Sequence, residues 1–196
     1  DAAVTVAAVL AVVEPYSAGL GGGGFWLLHR AVDGNQVMVD ARETAPAAVA
    51  LSQYIDGDGK PVPGATLRGG KAVGIPGAPA GLAHLAQRYG RLPLGQLLAP
   101  AIRLAREGFN IDSRFARIVK VRESALRDGV NTARTFLDRG EAPPQGYLLR
   151  QPELAATLEQ LAAHGRNGFY RGPVAQALVN AVNAAGGAWP AADLAD

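Results

Sequence analysis

Only two stretches of this chain read as β-strand, and both lie within the first 41 residues. FWLLH (Phe25 to His29) carries aromatic and branched side chains, and VMVD (Val37 to Asp40) alternates β-branched valines with other residues. Asp33, Gly34 and Asn35 between them supply the chemistry of a tight turn, which predicts a β-hairpin. Two strands do not make a sheet that is stable alone, so they need partners, and this predicts that the chain is part of something larger.

The remainder is helical in pattern. The apolar run Ala2–Val13 predicts a buried helix that stops at Glu14, because a residue before proline (Pro15) avoids the helical region. It falls well short of the about 20 apolar residues that a membrane-crossing helix needs. Asp1 stands where a signal peptide would carry a basic residue, and no initiator Met is present. A chain that opens inside a helix is expected to have lost its beginning.

After the hairpin, residues 46–76 are punctuated by the DGDG at Asp56, by Pro61, Pro63 and Gly64, and by Gly69, Gly70 and Pro76, and read as loop. Leu82, Leu85, Ala86 and Tyr89 share one face of a helix over Ala78–Tyr89. A second helix covers Leu94–Glu107 and ends at Gly108, with Pro100 expected to kink or divide it. Asp112 or Ser113 caps a third, whose inner face is read as Phe115, Ile118, Val119, Arg122 and Leu126. Pro152 and Pro173 open two more, closed by Gly165 and by Gly186 with Gly187, and a short connection joins them.

Composition narrows function by exclusion. With 48% hydrophobic and 18% charged residues the chain is globular, and 196 residues can bury a real core. A net charge of +2, from 19 basic and 17 acidic residues, argues against nucleic acid or an anionic membrane as partner. The one basic set, Arg114, Arg117, Lys120 and Arg122, reads as the wet side of its helix. Cysteine is absent, which removes disulfides, thiolate nucleophiles and cysteine metal sites.

Most candidate chemistry reduces to structure. The glycines Gly21 to Gly24 follow a helix and precede a strand, the reverse of a phosphate-binding loop, so they predict close backbone packing. His29, His84 and His164 lie apart without ligand spacing, so no metal is expected. None of Ser17, Ser52, Ser113 and Ser124 lies in a GxSxG elbow, and Ser17 reads as a turn residue. Asp56 and Asp58 resemble a piece of a calcium loop, but Leu67 stands where the closing glutamate belongs. Arg42, in VDARETAP, keeps two readings. Its planar fork of donors suits a substrate carboxylate, but arginines beside acids usually pair, here with Asp40 or Glu43.

An ordered series of segments then carries a resemblance. DAAV from Asp1, VVEPYSAGLGGGGF from Val12, DARETAP from Asp40, GIPGAPAGL from Gly74, YGRLP from Tyr89, LAPAIRLAREGF from Leu98, GFYRG from Gly168 and DLA from Asp193 together resemble the N-terminal part of the large subunit of the gamma-glutamyltranspeptidase (gamma-glutamyltransferase) family. The resemblance implies an N-terminal-nucleophile hydrolase fold, a four-layer αββα sandwich of class α+β. Residues 1–196 would be one incomplete domain of it, mainly helical with a hairpin near its start. It further implies a precursor that cleaves itself, freeing the N-terminal threonine of a small subunit. That threonine takes the γ-glutamyl group of glutathione or a related amide and passes it to water or an amino acid. The threonine lies outside this chain, so no catalytic residue maps here and the chain alone is expected to be inactive.

Of the family's substrate-binding residues one maps, at Arg42, where the resemblance implies a grip on the glutamyl α-carboxylate. Implied partners are the small-molecule donor and the small subunit. No cofactor or metal is implied, and the implied location is the periplasm or outside the cell. The family often has histidine where Tyr16 stands. Two other readings remain at this point: a related acylase for glutaryl or β-lactam side chains, and a non-catalytic binding or scaffold domain.

Overall fold

The computed structural model describes residues 1–195. In chain order, helix α1 (Ala2–Val13) is followed by strands β1 (Gly24–Arg30) and β2 (Asn35–Ala41), then by helices α2 (Ala78–Tyr89) and α3 (Leu94–Glu107). The two-residue strand β3 (Phe109–Asn110) precedes α4 (Ser113–Arg127) and α5 (Val130–Phe136). Strand β4 (Leu148–Leu149) leads to α6 (Pro152–His164), α7 (Arg166–Tyr170) and α8 (Gly172–Ala184). The chain is thus mostly helical, with one antiparallel hairpin near its start. It divides into two compact units, one made of Asp1–Gly19 with Leu85–Ala162, the other of Leu20–His84 with the segment from Ala163.

In the first unit α1 packs along α3. The buried side of α1 is Val4, Ala8, Ala11 and Val12, and that of α3 is Leu97, Leu98, Ala101 and Ala105. Alanines on both faces let the helices approach closely, and each fully buried leucine adds about 1.5–3 kcal/mol. Pro100 does not divide α3, which runs unbroken through it. Its missing N–H removes one hydrogen bond, but buried Leu97, Leu98 and Ala101 on either side hold the helix together.

Hydrogen bonds tie the ends of α1 to the rest of its unit. The Asp1 carboxylate accepts the backbone N–H of Arg91 at 2.9 Å and of Leu92 at 3.2 Å. Buried Gln151 donates its side-chain amide to the Val12 carbonyl at 2.8 Å, satisfying an oxygen that the helix leaves open.

Asp112 caps α4 as expected, accepting from the Phe115 N–H at 2.7 Å. Phe115 and Val119 then enter a core with Ile111, Leu137 and Leu149, and Tyr16 meets Phe115 edge to face at 5.5 Å. The inner side of α4 differs from the expectation at one position: Glu123, not Arg122, turns inward. Its carboxylate is matched by Lys120 (2.9 Å), Arg127 (2.7 Å) and the Ala142 N–H (3.0 Å), which removes the penalty of burying an unpaired charge. Arg114, Arg117, Lys120 and Arg122 face solvent, as read.

In the second unit β1 and β2 pair in register, Trp26 opposite Val39 and Leu27 opposite Met38. One face of the hairpin is half-buried, and the Trp26 ring lies over Gly81, where a Cβ would stand 2.6 Å from it. The other face shows Phe25, Leu27 and Met38, with Leu27 81% exposed. The connection after Gly165 is itself a helical turn, α7, whose Phe169 and Tyr170 are buried and which packs on α8. Near its end α8 holds Trp189 by two Asn183 hydrogen bonds, of 2.7 and 3.1 Å.

Candidate substrate site

Arg42 is the first residue beyond β2, and main chain fixes its position almost entirely. On one side lies the glycine cluster. A Cβ on Gly23 would stand 2.4 Å from the Glu43 nitrogen and 2.6 Å from the Arg42 Cα, so only glycine allows this contact. On the other side lies GIPG, residues 74–77. A Cβ on Gly77 would meet the Ala41 carbonyl oxygen at 2.2 Å. Thr44 and Ile75 exchange both backbone hydrogen bonds, at 3.1 and 2.8 Å.

The same segment is held from two further directions. The Gly22 carbonyl accepts the N–H groups of Gly77 and Ala78, both at 3.0 Å. Buried Tyr170 donates its hydroxyl to the Pro76 carbonyl at 2.6 Å and accepts from the Ala80 N–H at 3.3 Å. Burial raises the tyrosine's pKa, so it stays a donor at all ordinary pH values. Within the glycine cluster, Gly23 packs backbone against backbone, as the sequence suggests, whereas a Cβ on Gly21 would meet nothing within 4 Å. The N–H groups of Gly77 and Ala78 go to Gly22 and that of Ala80 to Tyr170, so the start of α2 has none of these amides free to hold a phosphate.

The side chain of Arg42 is exposed, and its guanidinium makes no ion pair among the described residues. The two acids that were candidates for pairing are turned elsewhere. Asp40 accepts the backbone N–H of Arg42 at 2.9 Å. Glu43 lies against Gly23, its Oε2 2.4 Å from where a Cβ would be. The pairing reading of Arg42 does not hold.

Arg42 borders a depression of about 280 Å³ that is also lined by Glu43, Thr44, Tyr54, Thr66 and Lys71. Lys71 was not singled out by its sequence context, since it lies in a loop with no periodicity. Its backbone is nonetheless well held. The Tyr54 hydroxyl donates to the Lys71 carbonyl at 2.8 Å, and the Gly70 N–H donates to Ala185 at 2.9 Å. Gly70 is buried against Val182 and Gly187, where a Cβ would meet backbone at 2.2 and 2.4 Å.

The other candidates take structural places. Asp56 accepts the N–H groups of Asp58 (3.0 Å) and Lys60 (2.8 Å), a polar turn. Ser17 borders a groove in the first unit with Tyr16, Arg114 and Phe136, whose lining holds no histidine or carboxylate to act as a base. Among the described residues no cluster of three His, Asp or Glu side chains is placed to hold a metal.

The gamma-glutamyltranspeptidase family model matches residues 1–196, the whole sequence. The chain belongs to that family. A glutathione hydrolase proenzyme from a Pseudomonas species is 38% identical over 195 residues, covering 99% of this chain and 34% of its own length. The Helicobacter pylori gamma-glutamyltranspeptidase superposes with a TM-score of 0.96 at 35% identity, over 99% of this chain and 56% of that one. A cephalosporin acylase from Bacillus halodurans follows at 0.84 and 30%, over 98% of this chain and 36% of that one. The chain spans about a third of the length of the curated relatives it matches (34% for the Pseudomonas and Escherichia coli proteins).

Proposed function

We propose that this chain is the N-terminal part of the large subunit of a gamma-glutamyltranspeptidase acting as a glutathione hydrolase. The enzyme moves the γ-glutamyl group of glutathione, or of a related amide, to water or to an amino acid. Arg42 grips the α-carboxylate of that group through its two-pronged guanidinium. The observation that carries the reading is the unpaired Arg42 guanidinium on a rigid main-chain frame, in a chain of this family.

The nucleophile is a threonine on the small subunit of the same precursor, activated by its own free amine. The exposed apolar face of the hairpin, Phe25, Leu27 and Met38, is where the second layer of the αββα sandwich docks. The mature enzyme works in the periplasm or outside the cell. These parts rest on the family.

A second reading has one observation in its favour, the likeness to a cephalosporin acylase. Donors of that kind can lack the α-amino acid group. The two readings separate when the mature enzyme is assayed with a γ-glutamyl amide and with the matching glutaryl amide. Turnover of the first alone supports the transpeptidase reading, and turnover of the second alone overturns it.

A further inference from the structure

We propose that Lys71 is a second anion-binding group beside Arg42, so that the site favours donors with two carboxylates, γ-glutamyl peptides, over neutral γ-glutamyl amides. The inference rests on the transpeptidase reading and names the substrate class of that site.

Three observations point to it. Arg42 and Lys71 line one depression, and neither side chain has an ion-pair partner among the described residues. The one carboxylate in the lining, Glu43, lies across Gly23 and is salt-bridged to neither cation. Both cationic residues are exposed, so their charges are open to an anion that enters the depression.

The second observation concerns placement. Lys71 sits in a short helical turn, Gly70–Ala72, whose surrounding backbone is fastened on three sides. Tyr54 holds its carbonyl at 2.8 Å, Gly70 bonds to Ala185 at 2.9 Å, and the Trp189 indole donates to the Val73 carbonyl at 3.2 Å. Trp189 is itself buried, at 3% exposure, so this anchor belongs to the core. An ammonium on a fixed base loses less freedom when it meets a ligand than one on a floppy loop.

The third is chemical. Arg42 presents a fork suited to one carboxylate in a bidentate grip. Lys71 presents a point charge with three donors, suited to a second anionic group that approaches from varied angles. Thr44, Thr66 and Tyr54 supply its neutral polar lining, beside small and apolar residues such as Pro46 and Val49. A donor whose α-carboxylate lies on Arg42 and whose leaving group ends in a carboxylate uses both cations, and a donor with a neutral leaving group uses one.

The test compares glutathione with its glycyl monoethyl ester, which removes the second carboxylate and little else, in the mature processed enzyme. The wild type is expected to show a lower KM for the free acid. Lys71→Gln is expected to erase that preference, about three- to tenfold, as for a charge-assisted contact weakened by solvent. Lys71→Arg should keep most of it. Added salt should narrow the wild-type preference and leave Lys71→Gln without one. If the wild type turns over both donors and the preference is the same in Lys71→Gln, Lys71 is not a ligand group and the proposal falls while the γ-glutamyl reading stands. If the wild type turns over neither, the γ-glutamyl reading falls and takes this one with it.

Discussion

Asp40 and Arg42 meet through main chain and not through charge: an Asp40 carboxylate oxygen accepts the Arg42 backbone N–H at 2.9 Å. The bond turns the chain where β2 ends and occupies the acid that would otherwise neutralise the arginine. The geometry makes the two residues a unit, one setting the other's direction.

The first prediction concerns that unit. Asp40→Ala removes the acceptor and should raise KM for γ-glutamyl donors by about fivefold, the equivalent of about 1 kcal/mol for one hydrogen bond. Asp40→Asn keeps a side-chain oxygen in place and should restore most of the loss. Steady-state kinetics of the two variants settles it, and equal loss in both would point to the charge of Asp40 instead.

Arg42→Ala should lower kcat/KM for glutathione and for its ester alike, by about 2–3 kcal/mol, while self-cleavage of the precursor proceeds normally. Gel analysis of processing together with donor kinetics checks both halves. An unchanged KM removes Arg42 from the site. Arg42→Lys keeps the charge but loses the fork, and should recover only part of the affinity.

Gly77→Ala should destabilise the protein by about 1–3 kcal/mol, because the added methyl would stand 2.2 Å from the Ala41 carbonyl oxygen. Gly57→Ala is the control, since a Cβ there meets nothing within 4 Å. Denaturant titration of the two variants should show a shifted midpoint for the first and none for the second.

The pH dependence of stability should carry the signature of Glu123. Hydrogen bonds from Lys120 and from the Ala142 N–H, with the Arg127 charge nearby, hold its carboxyl below the ordinary carboxylate range. The unfolded chain therefore binds a proton at this residue more readily than the folded one. Its contribution is complete above the ordinary carboxylate range and is lost as pH falls through the lower folded-state value. Melting temperatures of wild type and Glu123→Gln should differ at neutral pH and converge in strong acid. Curves that stay parallel throughout would deny Glu123 this role.

Periodicity and punctuation in the sequence marked most of the scaffold. The hairpin, the stop of α1 before Pro15, the Asp112 cap and the Gly108 and Gly165 stops all follow from residues that leave the backbone few choices. What escaped had no local signal. Helix α5 (VNTARTF) has β-branched and polar residues and is too short for a period to show. Strands β3 and β4 are two residues each and exist only as partners. Arg122 and Glu123 exchange places relative to the expected helix face because a carboxylate can be buried when donors surround it.

The site divides in the same way. Arg42 stood out because a lone arginine at a strand end, in a chain poor in charge, invites explanation. Whether it pairs or binds could not be read from neighbours in sequence, since Asp40 and Glu43 are both adjacent and both face other groups. Lys71 was silent for a simpler reason. Its meaning comes from Tyr54, Ala185 and Trp189, and two of these lie more than a hundred residues away.

The frame around Arg42 closes on glycines at 23, 74 and 77, where an added side chain would run into main chain. On the proposed function, changes of side chain along the depression retune which donor is accepted without moving the arginine. Gains of side chain in the frame cannot be absorbed in the same way. For an enzyme lineage this separates two kinds of inheritance: a substrate range free to drift, and a mounting that tolerates no ornament.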